Sequence, residues 1–491
     1  MGLLTIKQTS HAQRLPRGVV HALLAVLHED QVILDERGRR AFETDALTAH
    51  KAVPLAVVLP KTTEEVAEIA KISKQYNIAL VPRGAGTSLA GGAIPLPNAI
   101  VVCLSRMNQI LDVNFANRTA TVQAGVTNLA ISQAVEKDGF FYAPDPSSQL
   151  ACTIAGNIAM NSGGAHCLKY GVTTHNLLGV TLVTADGEIL EFGGAYYDPA
   201  GYDFLSLIAG SEGGLGIVTE ATVMLRSKPE GARPLLLGFD SPAVAGDCVA
   251  AIIAAGIIPV AIEFMDKPAI KVCEEFAGAG YPLDVEALLI VEVEGSDEEI
   301  DLALQQILRV AQQFSPTHTR VAKSIEEAGS IWLGRKAAFG AIGRISDYLC
   351  MDGVIPLAKL SDVLAQISKI CASYKFDVAN IFHAGDGNLH PLILYDANQP
   401  GAIERVEACG AEILELCVEA GGCITGEHGV GIEKKELMTL QFTPVDLLNQ
   451  LRIKASFDPE WRLNPNKVFP EKVAQEFQKG VQTPEQLGNE G

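Results

Sequence analysis

The sequence predicts an α+β protein made of two large units, and three observations carry that expectation. A chain of 491 residues with 48% hydrophobic content can fill more than one sizeable core. From about residue 52, apolar β-prone runs alternate with helical patterns, and the texture shifts at Lys228-Pro229-Glu230-Gly231. Glycine-rich loops punctuate the first half and return at 421–431.

Taken in order, residues 1–45 are expected to form an N-terminal helical lead-in and 46–229 the first unit. Residues 55–59 read as a strand, and Thr62-Thr63-Glu64-Glu65 as a capping box before a helix to about Tyr76. Residues 78–81 form the next strand, followed by the glycine-rich segment 82–92. Asp186-Gly187 between 180–185 and 188–192 predicts a hairpin. The second unit, 230–425, places strands near 234–239, 260–265, 286–293 and 317–322 in two β-α-β passages. That order predicts a ferredoxin-like sheet with helices packed on a face. Strands near 378–384 and 389–394 and a helix near 402–420 complete it. Residues 426–470 form a C-terminal return, and the Pro- and Gln/Glu-rich tail 471–491 is expected to be disordered.

Lys plus Arg number 38 against 58 Asp plus Glu, a net charge of -20, and no basic run offers a local exception. Nucleic acid is therefore excluded as the main partner, since a polyanion is repelled at long range. The ten cysteines contain no CxxC, which argues against disulfide staples and against an iron–sulfur cluster on this chain. No signal-peptide core is visible, and the apolar run 248–262 is too short for a membrane span. The expected location is cytoplasmic.

Gly84-x-Gly86 follows a strand, but Leu89 replaces the third glycine of G-x-G-x-x-G, and Pro95 and Pro97 stand where a helix would open. A phosphate held on a helix N-terminus is thus ruled out here. A nest of backbone N–H groups with Thr87 and Ser88 hydroxyls remains. Two further loops of small residues lie at 153–164 and 213–220. Read alone, all three are equally tight turns.

The segments PRGAGTSLAGG, DPSSQ, TIAGNIAMNSGGAHCLKYG and GSEGGLGIVTE resemble the FAD-binding domain of the p-cresol methylhydroxylase/vanillyl-alcohol oxidase superfamily. Within it, the resemblance points to the branch of FAD-linked glycolate and D-lactate dehydrogenases and covers roughly 40–470. It implies a two-subdomain FAD-binding domain and a separate substrate domain. It also implies FAD with its pyrophosphate on Arg83, Gly84, Ala85, Gly86, Thr87 and Ser88. Further cofactor contacts are implied at Pro146, Ser147, Gly156, Asn157, Ser162, Gly163, Glu212, Ile217 and Asn466. Covalent members often carry a loop histidine near the position of Thr87, so threonine there implies non-covalent FAD.

His383-Ala384-Gly385-Asp386-Gly387-Asn388-Leu389-His390 carries the most chemistry for its length. A spacing of seven separates the two histidines onto opposite faces of a continuous strand. If Gly385-Asp386-Gly387-Asn388 is instead the hairpin loop, His383 stands opposite His390 with Cβ atoms about 4.5–5.5 Å apart. Gly426-Glu427-His428-Gly429 offers a third ligand. Two histidines and a glutamate suit zinc or a similar divalent ion. A packed histidine pair beside an unrelated Glu-His turn fits the spacing equally well. The resemblance implies a divalent metal on His383, His390 and Glu427, zinc first, with manganese or iron as alternatives.

His428 is then the candidate general base, because imidazole titrates near working pH. A lone helical arginine is usually solvated, but the resemblance implies that Arg335 clamps a substrate carboxylate. Some relatives acting on longer diacids place a lysine near Cys350, and none is present. The expected reaction is FAD-dependent oxidation of glycolate, and of D-lactate, to the 2-oxo acid by hydride transfer to flavin N5. Alternatives are a dedicated D-lactate dehydrogenase and, from other classes, a flavin-free metal hydrolase or a non-catalytic flavin-binding subunit. The implied electron acceptor is a separate iron–sulfur partner subunit leading to quinone, which would also place the protein beside a membrane.

Overall fold

The computed structural model describes residues 14–196 and 200–480. The helix Arg17–Val26 opens the described chain, with Val19 and Leu23 turned into the first core. Two sheets then share that core. One has four strands in the order Val32–Ile33, Ala56–Val58, Ala99–Cys103, Ala79–Arg83, with the last three parallel. The other is antiparallel, in the order Ile110–Asn114, Thr119–Gln123, Ile217–Met224, Leu177–Val183, Ile189–Gly193. The expected hairpin is present, with Val183 opposite Ile189 and Gly187 at φ 80°.

The helix Thr63–Tyr76 starts where expected, Thr62 Oγ1 accepting from the Glu65 N–H, and stops at Asn77 in the left-handed region. The reciprocal half of the capping box is absent. Glu65 instead accepts from the Lys61 N–H at 2.6 Å and from Gln31 Nε2 at 2.8 Å, tying the lead-in to the first unit.

The second unit is built on a large sheet. Its first four strands stand in the order His318–Val321, Gly231–Phe239, Ala287–Gly295, Ala261–Asp266, which in chain order is the ferredoxin-like 4-1-3-2. Asp377–His383 extends it beside Ala261–Asp266. Helices cover both faces rather than one, because the central strands are apolar on both sides. Leu235, Leu237, Leu289 and Val291 meet the helices Pro242–Ala254 and Asp297–Ala311. Leu236, Leu288 and Ile290 meet Lys267–Ala277 and Ile325–Lys336.

Two local expectations need correction. His383 pairs with Asn388, not with His390, so the hairpin loop is residues 384–387. Continuing that register sets Asn380 against Pro391. His390 is thereby the diagonal neighbour of His383 on the same face, since side chains two residues apart share a face. The tail is ordered at its start: Glu471–Gln478 is a helix, and Phe477 packs on Leu448 and Leu451. The expected disorder of 481–491 lies outside the described residues.

The C-terminal return reaches the first unit as a parallel bridge of Leu463 to Leu80. Leu80 N donates to Arg462 O, and Asn464 N to Leu80 O. This places the chain end behind the glycine-rich loop that leaves Arg83.

Candidate active site

A cleft of about 620 Å³ runs between the two units, within the range usual for cofactor and ligand sites (roughly 300–1,000 Å³). Residues 83–89 wall one end, beyond the carboxyl ends of the parallel strands. Pro146, Ser147, Gly156, Asn157, Ser162, Glu212 and Ile217 also line it. Within the described chain, the backbone N–H groups of Ala85, Gly86, Thr87, Ser88 and Leu89 make no hydrogen bond. Five free donors in one loop form a nest suited to phosphate oxygens. Gly84 lies so close to Thr153 Oγ1 that any Cβ would collide with it. The residues present thus fit a long phosphate-bearing cofactor.

Several side chains named from sequence have other work. The guanidinium of Arg83 donates to Thr44 O at 2.8 Å and packs beneath Gly86, so it shapes the loop from behind. Ser88 Oγ accepts from the Ala90 and Gly92 N–H groups. The Glu212 carboxylate accepts from the Val430 and Gly431 N–H groups at 2.6 and 2.8 Å, pinning the C-terminal return to the cleft wall. Asn466 is exposed and not on the wall. Asn464 takes that place, its Nδ2 donating to Gly92 O and Glu212 O. Gly163 is also off the wall. An added Cβ there would come within 2.8 Å of Glu427 Oε2, so glycine leaves room for that carboxylate.

His383, His390, Glu427 and His428 sit together on the cleft wall. Ligating atoms of His383, His390 and Glu427 lie within 4.8 Å of one another. Glu427 Oε1 is 3.4 Å from His383 Nε2 and 3.1 Å from His390 Nε2. Each histidine is oriented from behind: His383 Nδ1 is 2.7 Å from Glu263 Oε1, and His390 Nδ1 is 3.2 Å from Met351 O. Donating the outer N–H fixes the tautomer that presents Nε2 inward, the arrangement a metal-ligating histidine needs. The donor set therefore fits a divalent ion. Burial pulls the His383 imidazole down, but Glu263 and Glu427 outweigh it and hold it well above its usual value in the metal-free chain. Burial likewise raises Glu427, and the two imidazoles reverse that.

Arg335 departs from expectation. Its Nε donates to Glu263 Oε2 at 2.8 Å, its Nη2 stands 2.6 Å from the same oxygen, and it does not line the cleft. The helix Ile325–Lys336 turns the neighbouring Lys336 to the cleft instead. Glu263, at 0% exposure, thus joins Arg335 to His383. It stands in the middle of the apolar strand Ala261–Asp266, and a carboxylate inside such a run was the available signal.

His428 stacks on His390 with centroids 4.9 Å apart, and its Nδ1 is buried without a hydrogen-bond partner. Burial pushes its imidazole down to about 4, opposed by Asp352 and assisted by His390. It is therefore neutral near pH 7, and its ring stands on the cleft wall. Asp352, wholly buried, aligns the segment that carries it. Its carboxylate accepts from the Gly426, Glu427 and His428 N–H groups, from Thr425 Oγ1 and from Asn388 Nδ2. Lys434 Nζ stands 3.4 Å away.

Residues 54–193 match the FAD binding domain family and residues 228–468 match the family of FAD linked oxidases, C-terminal domain. The chain is 48% identical over 448 residues to glycolate oxidase subunit GlcD of Escherichia coli K12, covering 91% of this chain and 89% of that one. It is 31% identical over 454 residues to a D-lactate dehydrogenase of Anaerostipes hadrus, covering 89% and 94%. A crystal structure of p-cresol methylhydroxylase superposes with a TM-score of 0.76 over 92% of this chain and 96% of that one, at 16% identity. The chain belongs to the FAD-linked oxidases. It is an FAD-dependent oxidoreductase with the fold of the p-cresol methylhydroxylase group, as the glycine-loop motifs implied. The flavin-free hydrolase is set aside by that membership. Among the described residues, no helix is long and apolar enough to cross a membrane.

Proposed function

We propose that the protein oxidises a small 2-hydroxy acid, glycolate or D-lactate, to the 2-oxo acid. The observation that carries this reading is the placement of neutral His428 beside the His383–His390–Glu427 set on the wall of the FAD cleft. The names of the relatives supply the substrate class. The flavin, bound non-covalently, supplies the hydride acceptor, and a divalent ion, zinc first, supplies a Lewis acid for hydroxyl and carboxylate oxygens. His383, His390 and Glu427 would hold the ion through Nε2, Nε2 and a carboxylate oxygen. His428, neutral and on the cleft wall, takes the hydroxyl proton.

The substrate carboxylate falls to Lys336, whose ammonium lies 6.0 Å from the Trp332 ring centroid at the cleft wall. Arg335, committed to Glu263, acts one step back by holding His383. Lys336→Met is expected to raise the KM for glycolate about tenfold or more, the loss of one charge-assisted hydrogen bond, with a smaller change in kcat. An unchanged KM would return the clamp to another residue.

Electrons are passed to a separate iron–sulfur partner subunit and on to quinone, in keeping with the relative named as a subunit, and the protein works in the cytoplasm at a membrane through that partner. Dialysis against a strong chelator is expected to abolish flavin reduction by glycolate while the protein stays yellow. Restoration by Zn2+ or Mn2+ then assigns the ion, and full activity in the metal-free protein would remove it from the mechanism.

A further inference from the structure

The imidazole of His390 has metal-type donors on two sides. Toward Glu427 it belongs to the set already described. On the other side, His390 Nδ1 and the Cys350 thiol converge on one carbonyl, that of Met351, at 3.2 and 3.4 Å. His428 stacks over the same ring with planes 10° apart, and its Nδ1 is buried and unpartnered. Ligating atoms of Cys350, His390 and His428 all lie within 4.8 Å of one another. Asp352 Oδ1 is 4.0 Å from His390 Nδ1.

We propose that Cys350, His390 and His428 form a second, soft-metal site that takes a thiophilic divalent cation such as Cd2+ and inactivates the enzyme. One thiolate and two imidazoles suit such ions and disfavour Mg2+ or Ca2+, which prefer all-oxygen shells. With bonds of the zinc type, about 2.3 Å to sulfur and 2.0 Å to nitrogen, donors up to 4.8 Å apart must close by roughly 1 Å, and by less for the larger Cd2+. The part-exposed ring of His428, on the cleft wall, must also turn out of its stack on His390, because lone pairs in parallel ring planes do not converge on one ion. As the ion binds, the thiol proton leaves to solvent and the His390 proton moves from Nδ1, where it is donated to Met351 O, to Nε2.

The consequence rests on the reading of His428 as the proton acceptor. An ion on Nδ1 makes the His428 ring a poorer proton acceptor and also draws His390 from the neighbouring set. The two donor sets share one residue, so a soft ion inhibits where a borderline ion activates.

The test uses the FAD-loaded protein titrated with CdCl2, reading thiolate-to-cadmium charge-transfer absorption and glycolate-driven flavin reduction in parallel. The wild-type protein is expected to gain the band with a single equivalent and to lose flavin reduction as the band grows. Cys350→Ala, expected to retain basal flavin reduction, should lack that band and need about tenfold or more Cd2+ for equal inhibition, since a ligand is worth at least as much as its outer-shell support. Cys350→Ser gives the same comparison if alanine lowers Tm. Equal bands and equal inhibition in the wild type and both variants would overturn the proposal and assign the ion elsewhere, for instance to Cys371 and Cys409, whose sulfurs are 4.0 Å apart. A wild-type band in a protein that no 2-hydroxy acid reduces, even before Cd2+, leaves this site standing and removes the proposed function.

Discussion

Replacing His428 by alanine should slow reduction of the bound flavin by glycolate about 10²–10⁴-fold, the usual contribution of a positioned general base. FAD content should not change. His428 lines the cleft but supplies none of the free N–H groups of residues 85–89, and the ring it stacks on, His390, remains held by Met351 O. The backbone of residue 428 is also preserved, because its N–H still donates to Asp352 Oδ2. Stopped-flow mixing with glycolate under anaerobic conditions reads the step directly. A variant reduced at the wild-type rate removes the base assignment, whatever its steady-state turnover.

Glu263→Gln carries the second large effect. The substitution keeps the shape of the side chain but takes the negative charge from between Arg335 and His383. Arg335, 5% exposed, is then a buried cation without its partner, a change that usually costs about 3–5 kcal/mol. The same change removes the carboxylate that orients His383 through Nδ1, and loss of such outer support weakens metal binding about 10–100-fold. Thermal unfolding and metal content should therefore fall together. If Tm is unchanged, the Arg335–Glu263 pair is not the buried anchor described here.

Much of the architecture was legible because it rests on period and punctuation. The strands 231–239, 261–266, 287–295 and 318–321 alternate with helices in a spacing that one sheet order satisfies. In the first unit, Thr62 and Asp186-Gly187 mark a helix start and a hairpin turn by local chemistry alone. The site was legible as a set of residues and not as a geometry. His383, His390 and Glu427 come together, yet through a register two residues away from the one the turn composition favoured. Ala384 enters the loop because Asn388 is needed opposite His383, where its side chain reaches Asp352.

The partners that orient the site were the least visible. Glu263 and Asp352 lie in runs whose periodicity reports only burial, Lys434 lies in the charged run 433–436, and nothing local links them to residues more than 70 positions away. Arg335 shows the same limit from the other side. Its position on the helix Ile325–Lys336 was readable, but whether it or Lys336 faces the cleft depends on which one a buried carboxylate claims.

The net charge of -20 describes a surface that does not attract carboxylates over distance. On the proposed reading capture is local, at Lys336 and at an ion that His383, His390 and Glu427 would hold. The most direct test of that account is the visible spectrum of the purified protein, followed anaerobically after addition of glycolate, D-lactate or L-lactate. The account predicts a yellow protein bleached by glycolate and D-lactate and left oxidised by L-lactate. A yellow protein that none of the three bleaches would contradict it and favour a flavin-binding subunit without this chemistry.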